Sequence, residues 1–332
     1  MQTHSQAIGS APSLLVVRPS SLGDIVHALP LVHDVRERHP GAAIDWVAEE
    51  SFVDLVRMNR GVRHVIPVAL RRWRHALLER STWREFARFR HDVAAVRYDA
   101  VLDLQEQVKG ALVAALARGP VHGPDRRSVR EPIVTALYRH RHRVDPDQHL
   151  IDRCRWLAAA AFGYEPRGAP HFDLAPPLDG DPPDAPYVVF LHATSRRDKL
   201  WPEAHWQALA EHVLNAGFAV VLPWGTAAEK LTSERIAHGS ACIVPGARRS
   251  LPELASLLAR AVWVVGVDTG LTHLAAALGT PTVALFTATD ARLAGVARAS
   301  PVARDLGGVG MVPRPDQVIA ATAPLLRTVP SS

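Results

Sequence analysis

Two successive blocks of strand-like apolar runs, each run followed by a segment of helical periodicity, constrain this 332-residue chain more than any other feature. Such alternation builds βαβ units, in which crossover helices join parallel strands. In the first block, strands are predicted over 14–18, 43–48, 64–68 and 100–104. Segments 24–38, 83–96 and 109–117 carry apolar residues at three- and four-residue spacing, and two more helices are predicted over 129–139 and 149–162. In the second block, strands are predicted over 187–192, 218–223, 241–244, 262–267 and 282–286, and a closing helix over 315–326. Between the blocks, residues 165–186 hold seven prolines and read as an interdomain linker. The expectation is two doubly wound parallel-sheet α/β domains facing a cleft, over 1–175 and 176–312, with a closing helix and tail over 313–332.

An apolar fraction of 48% supports two cores, and with only Cys154 and Cys242 the chain is neither disordered, collagenous nor a disulfide scaffold. The first seventeen residues lack a basic leader, and no apolar run reaches the eighteen residues of a membrane span. A soluble protein of the reducing cytosol is expected.

Charge divides unevenly. Residues 1–175 hold 25 Lys and Arg against 20 Asp and Glu, whereas the remainder hold 13 of each, so the whole excess of +5 lies in the first half. It gathers over 71–97 and 118–143, which suggests an anionic partner for that half, although a merely solvated basic surface fits the same counts. Of the 38 cationic residues only Lys109, Lys199 and Lys230 are lysines. A lysine kept against such a bias points to a site that wants a compact ammonium.

The first strand runs directly into Pro19-Ser-Ser-Leu-Gly-Asp24, at the carboxyl edge of a parallel sheet where such folds bind ligands. Ser20 and Ser21 offer hydroxyls, Gly23 permits close backbone approach, and Asp24 can take a proton from an attacking alcohol. The competing role for Asp24 is a helix cap. The loop is not a dinucleotide fingerprint, no phosphate-binding P-loop occurs, and no His-Glu-x-x-His or paired-cysteine motif suggests a metal.

In the second half, Val267-Asp-Thr-Gly-Leu-Thr-His273 joins a fully apolar strand to an apolar helix. A helix start of this kind suits a phosphate or pyrophosphate, with a capped helix and a buried histidine as the alternative. From the neighbouring strand end, Thr194, Ser195 and Lys199 can reach the same anion. Glu229, after Leu222-Pro-Trp-Gly225, can accept both hydroxyls of a ribose, or simply sit exposed on its helix.

Together these segments, with Ile44-Asp-Trp-Val-Ala-Glu-Glu50, Ile66-Pro-Val-Ala-Leu-Arg-Arg-Trp-Arg74, Tyr98-Asp-Ala-Val-Leu-Asp-Leu-Gln105, Arg130-Glu-Pro132 and Asp198-Lys-Leu-Trp-Pro202, resemble the lipopolysaccharide heptosyltransferases of Gram-negative inner-core synthesis. The likeness runs from Leu14 to about Leu326 and is greatest to the members that add the first heptose. It implies a GT-B fold of two Rossmann-like domains. It also implies metal-independent, inverting transfer of L-glycero-D-manno-heptose from ADP-heptose to a Kdo residue of Kdo2-lipid A. No cofactor and no nucleic acid enter this picture, and the enzyme would sit peripherally on the cytoplasmic face of the inner membrane through electrostatic contact.

By the same resemblance the catalytic base falls on Asp24. Donor contacts fall on Thr194, Lys199, Asp268, Thr269, Gly270, Leu271 and His273, with Ser195 beside them and the ribose carboxylate on Glu229. Acceptor contacts fall on Arg71, Arg72, Arg74, Lys109 and Arg130, with Ser20, Ser21 and Gly23 next to the base. Two positions depart from the family pattern. Glu106 stands where glycine is usual, adding negative charge expected close to Lys109, and Phe286-Thr-Ala-Thr-Asp290 replaces a Gly-Pro-Thr form. A later heptosyltransferase, a non-catalytic ADP-sugar-binding protein at the membrane surface and a GT-B-like sugar-nucleotide epimerase are the alternatives.

Overall fold

The computed structural model describes residues 11–178 and 182–326. Expectations for the first ten residues, for 179–181 of the Pro-rich stretch and for the tail beyond 326 lie outside the described residues. By contact the chain divides into two compact units. The first comprises residues up to 20, 28–146 and 152–173, and the second comprises 21–27, 147–151 and everything from 174.

The first unit is built on β1 (Ser13–Val17), β2 (Ala43–Glu49), β3 (Val62–Val68), β4 (Ala100–Asp103), β5 (Val121–Pro124) and β6 (His140–His142), all parallel in the order β3-β2-β1-β4-β5-β6. That order reverses between β1 and β4, which opens a ligand crevice at their carboxyl ends. The helices of this half are α1 (Leu22–Ala28), α2 (Pro30–Arg38), α3 (Val53–Arg57), α4 (Leu70–Trp73), α5 (Arg80–Ala94), α6 (Val108–Ala115) and α7 (Leu150–Phe162). α1 groups with the second unit, apart from its last residue. Helices α5 and α6 and a 3-10 segment, Pro132–Leu137, pack Phe89, Val93, Ala111, Val113 and Val134 onto the sheet around Leu15, Val17 and Val101. On α7, Arg155 makes a bidentate ion pair with Asp34 of α2 at 2.7 and 2.9 Å, with both residues buried.

The second unit holds β7 (Tyr187–Leu191), β8 (Ala219–Val221), β9 (Trp263–Val267), β10 (Thr282–Phe286) and β11 (Ala303–Gly307), parallel in the order β11-β10-β9-β7-β8. Its order reverses between β7 and β9. Helices α8 (Glu203–Asn215), α9 (Ala227–Ala237), α10 (Leu251–Ala259), α11 (Gly270–Ala277), α12 (Ala291–Ala294) and α13 (Pro315–Leu326) complete it. β7, β9 and β10 are buried along their whole length, which is why they read in sequence as continuous apolar runs.

Three sequence expectations are corrected, and three strands had none. The helix over 24–38 is two helices, because Pro30 cannot supply the N–H that a continuous helix needs and instead opens α2. The helix over 129–139 is a 3-10 turn flanked by β5 and β6. Those strands carry Gly, Pro, His and Arg and so give no strand signal; Gly123 is needed because a Cβ there would lie 2.2 Å from Tyr138 Cε2. Residues 241–244 contribute only an isolated bridge between Ile243 and Val221. β11, an edge strand with exposed Arg304, has no predicted counterpart.

Candidate active site

At the first reversal point, β1 ends in a loop whose Ser20 N–H donates to Gln105 Oε1 at 3.3 Å, tying it to the loop after β4. Asp103 closes β4 fully buried. It accepts from Tyr138 Oη (2.8 Å), Gln105 N (2.9 Å) and Glu106 N (3.3 Å). Burial pushes its carboxyl up to about 6, and these three bonds hold it from rising further.

Ser21 precedes α1, and Asp24 Oδ2 accepts from Ser21 N (2.9 Å) and Ser21 Oγ (2.8 Å). The capping role is therefore real. The Asp24 side chain is half-buried at the start of α1, and a carboxylate that accepts cap bonds is still a group able to accept a proton. Gly23 is buried against the second unit's own machinery: a Cβ there would lie 3.1 Å from His273 Cδ2. A Cβ on Gly270 would lie 2.6 Å from Leu22 Cδ2 and 2.9 Å from Gly23 N. Glycine at 270 is thus what lets the starts of α1 and α11 touch.

At the second reversal point, Asp268 is the hub. Its Oδ2 accepts from Lys199 Nζ and from Thr289 Oγ1, each at 2.6 Å, and its Oδ1 lies 3.2 Å from His273 Nε2. Burial alone would raise this carboxyl, but the bonds from His273, Lys199 and Thr289 outweigh it and hold it far below the usual carboxylate range. Thr194 Oγ1 donates to the Asp268 carbonyl at 3.2 Å, and Thr287 Oγ1 to the Asp198 carbonyl at 2.7 Å, fixing the loop that carries Lys199. Thr269 caps α11 in extended conformation without a side-chain cap bond, and Leu271 is half-buried. The positive end of α11 and the Lys199 ammonium, both organised by Asp268, suit a pyrophosphate.

Behind Asp268, His273 Nδ1 lies 3.3 Å from Nε2 of His27, three residues after Asp24 on α1. Thr289, Thr287 and His27 escaped the sequence reading. The first two sit in the segment noted only for its departure from the family form, and His27 looked like one histidine among seventeen. Ser195 is exposed. Glu229 is half-buried and accepts from Gly225 N at 2.7 Å, closing the turn after β8.

The basic residues of the first unit divide. Arg72 is bracketed by Glu50 (3.1 Å) and Glu85 (2.9 Å), with its side chain half exposed. Arg71 lies 5.5 Å over the Phe52 ring, Arg74 Nε donates to His75 Nε2 at 2.9 Å, and Lys109 and Arg130 are exposed. Glu106 is held by Arg153 Nη2 at 3.0 and 3.1 Å, and it also accepts from Arg130 N, so its charge is met by Arg153. Its φ of +57° lies in the region glycine favours, which accounts for the glycine usual at this position. Among the described residues no group of three His, Cys, Asp or Glu can hold a metal ion, and no helix is long and apolar enough to cross a membrane.

Two doubly wound parallel sheets, with an anion-suited helix start at the second reversal point, define a GT-B glycosyltransferase. The profile for glycosyltransferase family 9 (heptosyltransferase) matches residues 86–315, and the chain belongs to that family. Lipopolysaccharide heptosyltransferase 1 of Salmonella typhimurium is 42% identical over 290 residues, covering 85% of this chain and 90% of that one. The Pseudomonas aeruginosa lipopolysaccharide heptosyltransferase 1 is 44% identical over 283 residues, covering 83% and 79%. The solved structure of Escherichia coli heptosyltransferase WaaC with ADP-2-deoxy-2-fluoro heptose is similar at TM-score 0.84 and 36% identity, covering 94% of this chain and 99% of that one.

Proposed function

We propose that this enzyme transfers L-glycero-D-manno-heptose from ADP-heptose to a Kdo residue of Kdo2-lipid A, with inversion, at the cytoplasmic face of the inner membrane. The names of the two relatives and the ADP-sugar analogue held by the WaaC structure support the donor and the reaction. The observation that carries the reading is the contact of two helix starts within one compact unit: α1 bearing Asp24, and α11, which Thr269 caps and which Asp268 precedes, with Lys199 brought to Asp268 from the loop after β7.

In this reading Asp24 removes the proton from the attacking Kdo hydroxyl. The new bond forms to the anomeric carbon on one face while the bond to the ADP phosphate oxygen breaks on the other. ADP leaves with its negative charge met by Lys199 and the α11 amides, a task the reading gives to protein cations and no cofactor. Thr194, Ser195, Thr269, Gly270, Leu271 and His273 border the donor, and Glu229 takes the ribose. Residues 176–312 serve as the donor domain and 1–175 as the acceptor domain, where Ser20, Arg71, Arg74, Lys109 and Arg130 face the acceptor's carboxylates and phosphates, joined by Ser21 and Gly23 from the segment that groups with the second unit. Arg72, held between Glu50 and Glu85 with half of its side chain exposed, joins them.

The test is incubation of the purified protein with ADP-heptose and either Kdo2-lipid A or the same lipid already carrying one heptose, followed by product mass analysis. One added heptose on the first and none on the second is expected. Addition only to the second would assign a later step, and donor binding without any transfer would leave a binding protein.

A further inference from the structure

One surface of the first unit carries apolar side chains that have no role in the transfer site. Among its described residues, eight large apolar side chains are exposed, and seven belong to one layer. Leu77, Leu78 and Trp83 lie in and just after the turn between α4 and α5, Val108 and Leu112 one helical turn apart on α6, and Ile133 and Leu137 on the 3-10 segment; the eighth, Trp156, is on α7. These elements form a single layer because α5, α6 and the 3-10 segment send their inner side chains into the same core.

The turn is built to present its tip. Leu78 is 101% exposed, Leu77 56% and Trp83 58%, yet Trp83 Nε1 donates to the Leu77 carbonyl at 2.9 Å and its ring meets Phe86 edge-on at 6.3 Å. Exposed Arg74 precedes the tip, and Arg80, Arg84 and Arg88 follow one turn apart along α5. Of the nearby carboxylates, Glu79 is exposed while Glu85 is occupied by Arg72 and Trp73.

A protein partner would be met by a contiguous apolar patch depleted of charge at its centre. Here arginines interleave with a projecting Leu-Leu-Trp tip, the composition of an element lying in a bilayer interface. We propose that this layer docks on an anionic phospholipid bilayer, with Leu77, Leu78 and Trp83 entering the boundary between headgroups and acyl chains and the α5 arginines on lipid phosphates. This rests on the proposed function, whose acceptor is a membrane lipid, and replaces purely electrostatic contact by insertion.

The test is flotation of the full chain with vesicles of phosphatidylglycerol and phosphatidylethanolamine, or of phosphatidylcholine alone, at low salt and at about 1 M NaCl. Wild type should bind the anionic vesicles preferentially and retain part of that binding in high salt. Leu77→Gln/Leu78→Gln, which touches no core, should lower partitioning about tenfold or more, with thermal midpoint, ADP affinity and transfer to an O-deacylated soluble acceptor unchanged. Equal partitioning of variant and wild type, no preference for the anionic lipid, or complete release of wild type by salt would each overturn the proposal. If neither protein transfers heptose but the vesicle difference persists, the transfer reading fails and the surface stands; if both transfer and bind vesicles alike, only the surface fails.

Discussion

Glu106 holds the left-handed region at φ +57°, a conformation that costs a non-glycine residue roughly 1 kcal/mol. What offsets it is Arg153, only 16% exposed, whose guanidinium has no second carboxylate in its bonds. Glu106→Gly should therefore lower stability by about 1–3 kcal/mol despite relieving the backbone, because a half-desolvated guanidinium loses its partner. In an Arg153→Leu background the same change should raise stability by about 0.5–1 kcal/mol. Urea denaturation of the four proteins measures this, and equal effects in both backgrounds would contradict it. The departure at 106 was visible in sequence; its partner was not, since the two residues are 47 positions apart and meet only through the fold. The same holds for Thr289 on Asp268, 21 positions away.

Strands made of apolar runs announced themselves, the edge strands β3 and β8 among them, and strands of other composition did not, although β5 lies inside its sheet and is buried. β1, β4, β7, β9 and β10 were legible because burial demands continuous apolar runs, whereas β5, β6 and β11 owe their pairing to neighbours and not to their own pattern. β4 also carries a charge that no sequence pattern prices. Burial raises the Asp103 carboxyl to about 6, above its unfolded value near ~4, so the native state holds that proton more tightly. Its contribution to stability is complete below about pH 4 and is lost as pH rises through about 6, a swing of about 3 kcal/mol. In Asp103→Asn this swing should vanish. Unfolding free energies of both proteins at pH 4 and pH 7 test it, and parallel pH dependence would contradict it.

At the scale of the whole molecule, each half is a separately wound parallel sheet whose strand order reverses once, and the chemistry-bearing loops leave the strands beside those reversals. The loops were found in sequence because strand, loop and helix follow one another there. The grouping of residues 21–27 with the second unit was not, because it depends on two glycines, Gly23 and Gly270, admitting one helix start to another. Through that contact the candidate base and the candidate leaving-group site share one compact unit. The most direct test is the Asp24→Asn variant, which keeps an acceptor for Ser21 and so the helix cap, but cannot take a proton. Heptose transfer to Kdo2-lipid A should fall by about 10² or more in kcat, while affinity for ADP stays within about twofold. Near-normal turnover in that variant would leave Asp24 as a cap and contradict its assignment as the base.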